Sequence, residues 1–162
     1  MKFLVDRMLG KLAKKLRILG YDAVYYRGDR THELVHLAQQ EERVILTRNT
    51  KLFPGAPSNR IFRVTEDKPL LQVQELLRKG LISPEEKKLF SKCLVCNATL
   101  NEIPRDEADG KVPEFIFYEQ KEFFRCPQCQ RIYWQGTHHK KMKKRVEELL
   151  RVGDGRSDLH AD

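Results

Sequence analysis

An α/β fold, with an open parallel sheet flanked by helices and followed by a small metal-stapled module, is what this sequence predicts, and three observations predict it. Short apolar segments alternate with amphipathic helical ones over residues 1–80. All four cysteines fall later, in two pairs, Cys93-Leu-Val-Cys96 and Cys126-Pro-Gln-Cys129. A chain of 162 residues holds one ordinary core and little more, so the second part needs a staple, and a bound metal can supply one.

The elements follow in order. Residues 3–5 read as a buried strand that Asp6 ends, and Met8, Leu9, Leu12, Ala13, Leu16 and Leu19 then recur at helical spacing up to Gly20, a natural stop. Residues 23–26 form the second strand. Residues 33–41 form a helix with Leu34, Leu37 and Ala38 inward, 44–47 a third strand before the Arg48-Asn49 turn, and 61–64 a fourth before Glu66 and Asp67. A helix over 69–79 is stopped by Gly80. Strands alternating with helices at this spacing require a parallel sheet with right-handed crossovers. The domains expected are therefore 1–80, a connector over 81–90 with a helix start at Ser83, a metal module with a closing basic helix over 91–152, and a flexible tail over 153–162. Within the module, 101–111 is rich in acids, Gly and Pro and reads as an exposed loop, while 140–152 reads as the amphipathic closing helix.

The cysteine pattern points to zinc. A CxxC turn directs two sulfurs at one centre, and two such turns complete the tetrahedron Zn²⁺ prefers, which makes Cys93, Cys96, Cys126 and Cys129 the expected ligands of a structural ion. Disulfides are the bland alternative. Nothing near Met1 resembles a secretory signal, so a cytoplasmic location is expected, where disulfides are disfavoured. Four thiolates close the shell, which leaves His138 and His139 redundant as ligands.

Lys and Arg total 31 against 23 Asp and Glu, a net charge of +8 that favours a polyanionic partner such as nucleic acid. No apolar run is long enough to cross a bilayer, so no membrane partner is expected. In an open parallel sheet, ligands bind beyond the carboxyl ends of the strands. The acids there are Asp6, Asp29, Glu33, Glu66 and Asp67, and carboxylates grouped at a sheet edge can hold Mg²⁺ or Mn²⁺ to activate water against a phosphodiester. Loops after strands also carry Asp for turn and capping reasons alone. Arg7, Lys11, Lys14 and Lys15 share one side of the first helix, opposite its leucines, with no acid between Arg7 and Arg17; such a face can hold a phosphate backbone or simply be solvated. Lys140 and Lys141 begin a second basic run beyond Tyr133 and Trp134, whose rings can stack on single-stranded RNA or pack over the metal module.

These segments resemble, in order, a known family. Residues 5–22, Arg43-Val-Ile-Leu-Thr-Arg-Asn49, the paired CxxC motifs and Tyr133-Trp-Gln-Gly-Thr-His138 are similar to the Mut-seven C-terminal RNase-domain family, in combination and over most of the chain. The resemblance implies a PIN-like nuclease fold with a zinc ribbon and metal-dependent endoribonuclease activity. Asp6 matches the family's first acid. Where the family usually has Thr-Arg-Asp, this chain has Thr47-Arg48-Asn49, and Thr31 and His32 stand where an acid is often found. The expected catalytic set is therefore Asp6, Glu33, Asn49 and Asp67, with Arg7, Lys11 and Arg48 on phosphates. An amide keeps a coordinating oxygen but loses a charge, so the alternative is a catalytically silent RNA-binding or ribosome-associated protein.

Overall fold

The computed structural model of the chain describes residues 1–49 and 60–154, which form two compact units, Met1–Phe90 and the segment from Ser91 onward. In the first unit four strands, β1 (Lys2–Val5), β2 (Asp22–Tyr25), β3 (Val44–Thr47) and β4 (Ile61–Arg63), form an all-parallel sheet in the order β2-β1-β3-β4. Among the described residues, helices α1 (Gly10–Ile18), α2 (Thr31–Gln40) and α3 (Pro69–Arg78) complete it.

Strand residues alternate between faces, and the core follows that alternation. Leu4 and Ile45 meet Leu34, Val35 and Ala38 of α2 on one face. Phe3, Val5 and Leu46, all fully buried, turn the other way. Right-handed crossovers place α1 opposite α2, and α1 packs against α3. A short 3₁₀ turn, Arg7–Leu9, precedes α1, with Asp6 capping it through its side chain. Helix α1 stops at Gly20, whose φ of +88° suits glycine, and a Cβ there would stand 2.2 Å from the Lys88 carbonyl oxygen. The helix expected to start at Ser83 does not form. Pro84 biases Ser83 away from helical geometry, and only a 3₁₀ turn over Glu86–Lys88 follows.

Two buried charged groups brace the sheet from opposite ends. Arg43, 7% exposed, donates to the Phe3 carbonyl at 3.2 Å and to Asp22 at 2.7 Å, with Glu41 as a third partner. Glu75, on α3 and 5% exposed, accepts hydrogen bonds from the Thr65 N–H (3.0 Å), the Thr65 hydroxyl (2.7 Å) and the Glu66 N–H (3.1 Å). Burial pushes the Glu75 carboxyl up, but these donors outweigh it and hold it below its ordinary value of 4.5. A depressed carboxylate stabilises the fold above its unfolded pKa, and that contribution is lost as pH falls through the folded value. Glu75→Gln is therefore expected to lower the melting temperature at neutral pH, with a loss of about 1–3 kcal/mol. The gap to wild type should narrow as pH drops below 4.5, which thermal melts across pH would show.

The second unit holds an antiparallel sheet, β5 (Asn101–Ile103), β6 (Phe123–Arg125) and β7 (Ile132–Trp134), in that order. Residues 101–111, expected as a loop, contribute β5 and a 3₁₀ turn over Arg105–Ala108. Their polar composition hid two anchors: Ile103 and Ala108 are buried with Phe123 in a small cluster that Val112, Ile116, Phe117, Ile132 and Trp134 surround. Helix α4 (Glu114–Glu119) follows before β6, and the closing helix α5 runs over Thr137–Asp154. Residues 155–162, within the expected tail, lie outside the described residues. No helix among the described residues is long and apolar enough to cross a membrane.

Candidate functional site

The strand order puts a switch point between β1 and β3. The chain leaves β1 toward β2 on one side and returns past it to β3 on the other, and it is at such a reversal, beyond the carboxyl ends, that open sheets form a crevice. A cleft of about 430 Å³ lies there, lined by Asp6 and Arg7 after β1, Tyr26 and Asp29 after β2, Arg30 and Thr31 at the start of α2, and Arg48 and Asn49 after β3.

Asp6 is tightly held. Its N–H donates to the Leu46 carbonyl at 2.9 Å, one carboxylate oxygen accepts from the Arg7 N–H at 2.7 Å, and the other accepts from the Thr47 hydroxyl at 2.8 Å. The same Thr47 oxygen accepts the Asn49 N–H at 3.0 Å. Asp6 and Asn49 are thus joined through one hydroxyl. Sequence alone gives Thr47 no role at the site, although it is the one polar residue in a strand that otherwise reads Val-Ile-Leu.

Glu33 and Asp67 lie outside the cleft lining, each paired to an arginine that belongs to it. Arg30 meets Glu33 at 3.2 Å, where the Tyr26 hydroxyl also donates at 3.1 Å. Desolvation first, and the Glu33 carboxylate second, raise the Tyr26 phenol above its ordinary value, which keeps it a donor. Arg48 meets Asp67 at 2.6 Å and donates to the Glu66 carbonyl at 2.8 Å. Arg7, Arg30 and Arg48 against Asp6 and Asp29 leave the lining with more arginines than carboxylates.

Among the basic residues of α1, Lys11 and Lys14 are exposed and Lys15 is half-buried. Arg17 leaves that face altogether: it is 8% exposed and its Nε donates to the Ala23 carbonyl at 2.9 Å. Lys140 and Lys141 are exposed near the start of α5.

In the second unit the sulfurs of Cys93, Cys96, Cys126 and Cys129 all lie within 4.8 Å of one another, and Cys93 and Cys129 are 3.7 Å apart. Zn–S bonds of about 2.3 Å in a tetrahedron put sulfurs about 3.8 Å apart. The four cysteines can hold a metal such as zinc. Among the described residues no other group of three or more His, Cys, Asp or Glu converges closely enough to share one ion.

The two CxxC turns are built alike. The residue after each, Asn97 and Gln130, takes a φ of 65° and returns its N–H to the carbonyl of the first cysteine. Backbone N–H groups then point at sulfur, from Cys96 to Cys93 at 3.3 Å and from Cys129 to Cys126 at 3.4 Å. Burial raises the Cys93 thiol, but the Tyr133 hydroxyl at 3.1 Å and the turn's N–H groups bring it below its ordinary value. Desolvation and then Cys129 push Cys96 up to about 12, whereas hydrogen bonds from Arg131 draw Cys129 down to about 6. Crowded sulfurs cannot all ionise without a cation among them. The Tyr133 hydroxyl meets the Cys93 sulfur and Trp134 packs on the Phe123 cluster, so both side chains contribute to the ribbon, and both are half-buried.

Comparison with known families matches residues 1–146 to the Mut7-C RNAse domain. The chain belongs to that family. No curated protein and no solved structure matches it. The Mut7-C architecture here is an α/β unit with a parallel sheet, followed by a ribbon whose cysteines can bind metal.

Proposed function

We propose that this Mut7-C protein is an RNA-processing endoribonuclease of PIN-like architecture, working in the cleft at the carboxyl ends of β1 and β3 with Mg²⁺ or Mn²⁺, and that Zn²⁺ in the cysteine cluster staples its ribbon. The observation that carries the reading is the cleft itself, where Asp6 and Asn49 share the Thr47 hydroxyl among arginines.

The oxygens of Asp6, Asp29 and Asn49 are the hard donors these cations accept, and Glu33 and Asp67 stand at the rim as further carboxylates. A divalent ion bound there supplies activated water and neutralises phosphate charge. Arg7, Arg30 and Arg48 hold the phosphate backbone, as guanidinium forks do. Thr47 fixes the Asp6 carboxylate so that its orientation needs no adjustment during the reaction.

A second reading rests on Asn49. With one amide where the family usually has an acid, the cleft can bind RNA without cutting it. Cleavage of a labelled RNA in Mg²⁺ and in Mn²⁺, compared for wild type and Asp6→Asn, separates the two. The nuclease reading expects a loss of about a hundredfold on Asp6→Asn with RNA binding kept. Equal cleavage by both proteins would place the activity elsewhere, and no cleavage by wild type would favour the silent reading.

RNA binding has its own test. Reversing Lys11, Lys14 and Lys15 to Glu is expected to weaken all single-stranded RNAs alike and to reduce the slope of log affinity against log salt by about 2 or more. An unchanged slope would make that helix face ordinary solvated surface.

A further inference from the structure

Within the basic chain lies an acidic island that nothing above uses. Residues 101–122 carry seven Asp and Glu against three Lys and Arg, whereas the rest of the chain carries 16 against 28. All seven acids are exposed. The segment is nonetheless ordered, since it supplies β5, α4 and part of the Phe123 cluster.

Its outer surface is also aromatic. At about 100° per residue, Glu114, Tyr118, Phe115 and Glu119 follow one another around a single arc of α4, while Ile116 and Phe117 turn the opposite way into the cluster. Phe115 and Tyr118 are 64% and 70% exposed. Two rings set between two carboxylates form a surface that repels phosphate but suits a cation. An arginine stacks its guanidinium on a ring and bonds its edge to an oxygen acceptor, and a lysine does the same less well. The segment already shows the arrangement internally: Arg105 lies 4.2 Å from the Phe117 ring centroid while donating to the Phe117 and Gln120 carbonyls.

From this charge complementarity we infer that the outer arc of α4 is a docking site for an arginine-rich segment of another protein, with apolar side chains of that segment covering Phe115 and Tyr118. Such a partner is repelled by the rest of this chain and is steered to the island. The protein then has two recognition chemistries, cationic for RNA and acidic-aromatic for a basic protein.

The test uses the full chain and a fluorescent peptide of alternating arginine and leucine, with a glutamate–leucine peptide and a uridine oligonucleotide as comparisons. The arginine peptide is expected to bind and the glutamate peptide not to. Phe115→Ala with Tyr118→Ala should weaken the arginine peptide by about tenfold or more because it removes the rings that the partner would bury, as should Glu114→Lys with Glu119→Lys because it sets like charges opposite the arginines. Oligonucleotide affinity should not fall in either pair. Amide exchange in 123–134 reports whether the ribbon is intact, and if the aromatic pair disturbs it, the exposed glutamate pair decides. Failure of the arginine peptide to bind, equal affinity in both pairs, or oligonucleotide binding lost with the aromatic pair would each overturn the inference, the last by showing a base-stacking platform.

Discussion

Cys126→Ser is expected to empty the metal site and unfold the ribbon while the parallel-sheet unit stays native. Cys126 is fully buried, and its sulfur accepts N–H groups of Gln128 and Cys129, both at 3.4 Å. The buried residues of the ribbon's apolar cluster are Ile103, Ala108 and Phe123, worth a few kcal/mol against the cost of ordering the segment. Structural zinc contributes about 10–16 kcal/mol in comparable small modules, so its loss is decisive there. The first unit keeps its own core of Leu4, Leu34, Val35, Ala38 and Ile45. Metal analysis should give one zinc per wild-type chain and none in the variant, and hydrogen exchange should accelerate in 91–134 but not in 1–49. Wild-type protein folded throughout with less than about half an equivalent of zinc would refute the assignment.

Asn49→Asp is the second large effect. It places a carboxylate where Asn49 lines the cleft, joined to Asp6 through the Thr47 oxygen, which accepts the backbone N–H that the substitution keeps. Without a cation, two carboxylates around one hydroxyl repel, so the variant should melt lower than wild type in chelator. With Mn²⁺ the order should reverse, because the added charge tightens a hard cation. Cleavage should rise by about tenfold or more, and adding Asp6→Asn to Asn49→Asp should abolish it. An Asn49→Asp protein that neither gains melting temperature from Mn²⁺ nor cleaves RNA would leave RNA binding as the function.

Much of this is legible in the sequence, for local reasons. The strand at 44–47 and the helix stop at Gly20 are marked by apolar runs next to residues with strong backbone preferences, and the paired CxxC spacing defines its own centre. What was hidden depends on contacts distant in sequence. Arg17 reads as one more cation on a helix, yet its guanidinium reaches the Ala23 carbonyl. Strand β5 is too short for a period-2 signal, and Ile103 is visible as an anchor only once Phe123 lies opposite it. In the cleft, Asp6 stands out as an acid after a strand, whereas Thr47, whose hydroxyl links it to Asn49, is 41 residues away in sequence. Glu33 and Asp67 looked like equals of Asp6 because sequence carries no information about which arginine each meets.

Arg43 separates two kinds of damage. Its guanidinium laces the amino ends of three neighbouring strands, through Phe3, Asp22 and the turn before β3, while the cleft opens at their carboxyl ends. A lysine's three N–H donors radiate from one nitrogen and cannot span acceptors that Arg43 meets with Nε and Nη1, so Arg43→Lys should erode the folded population, and in cells that erosion is read as faster turnover by proteases. A lineage that abandoned cleavage could let Asp6 drift yet would still be compelled to retain Arg43. Persistence of that arginine therefore records selection for a folded body and carries no information about chemistry.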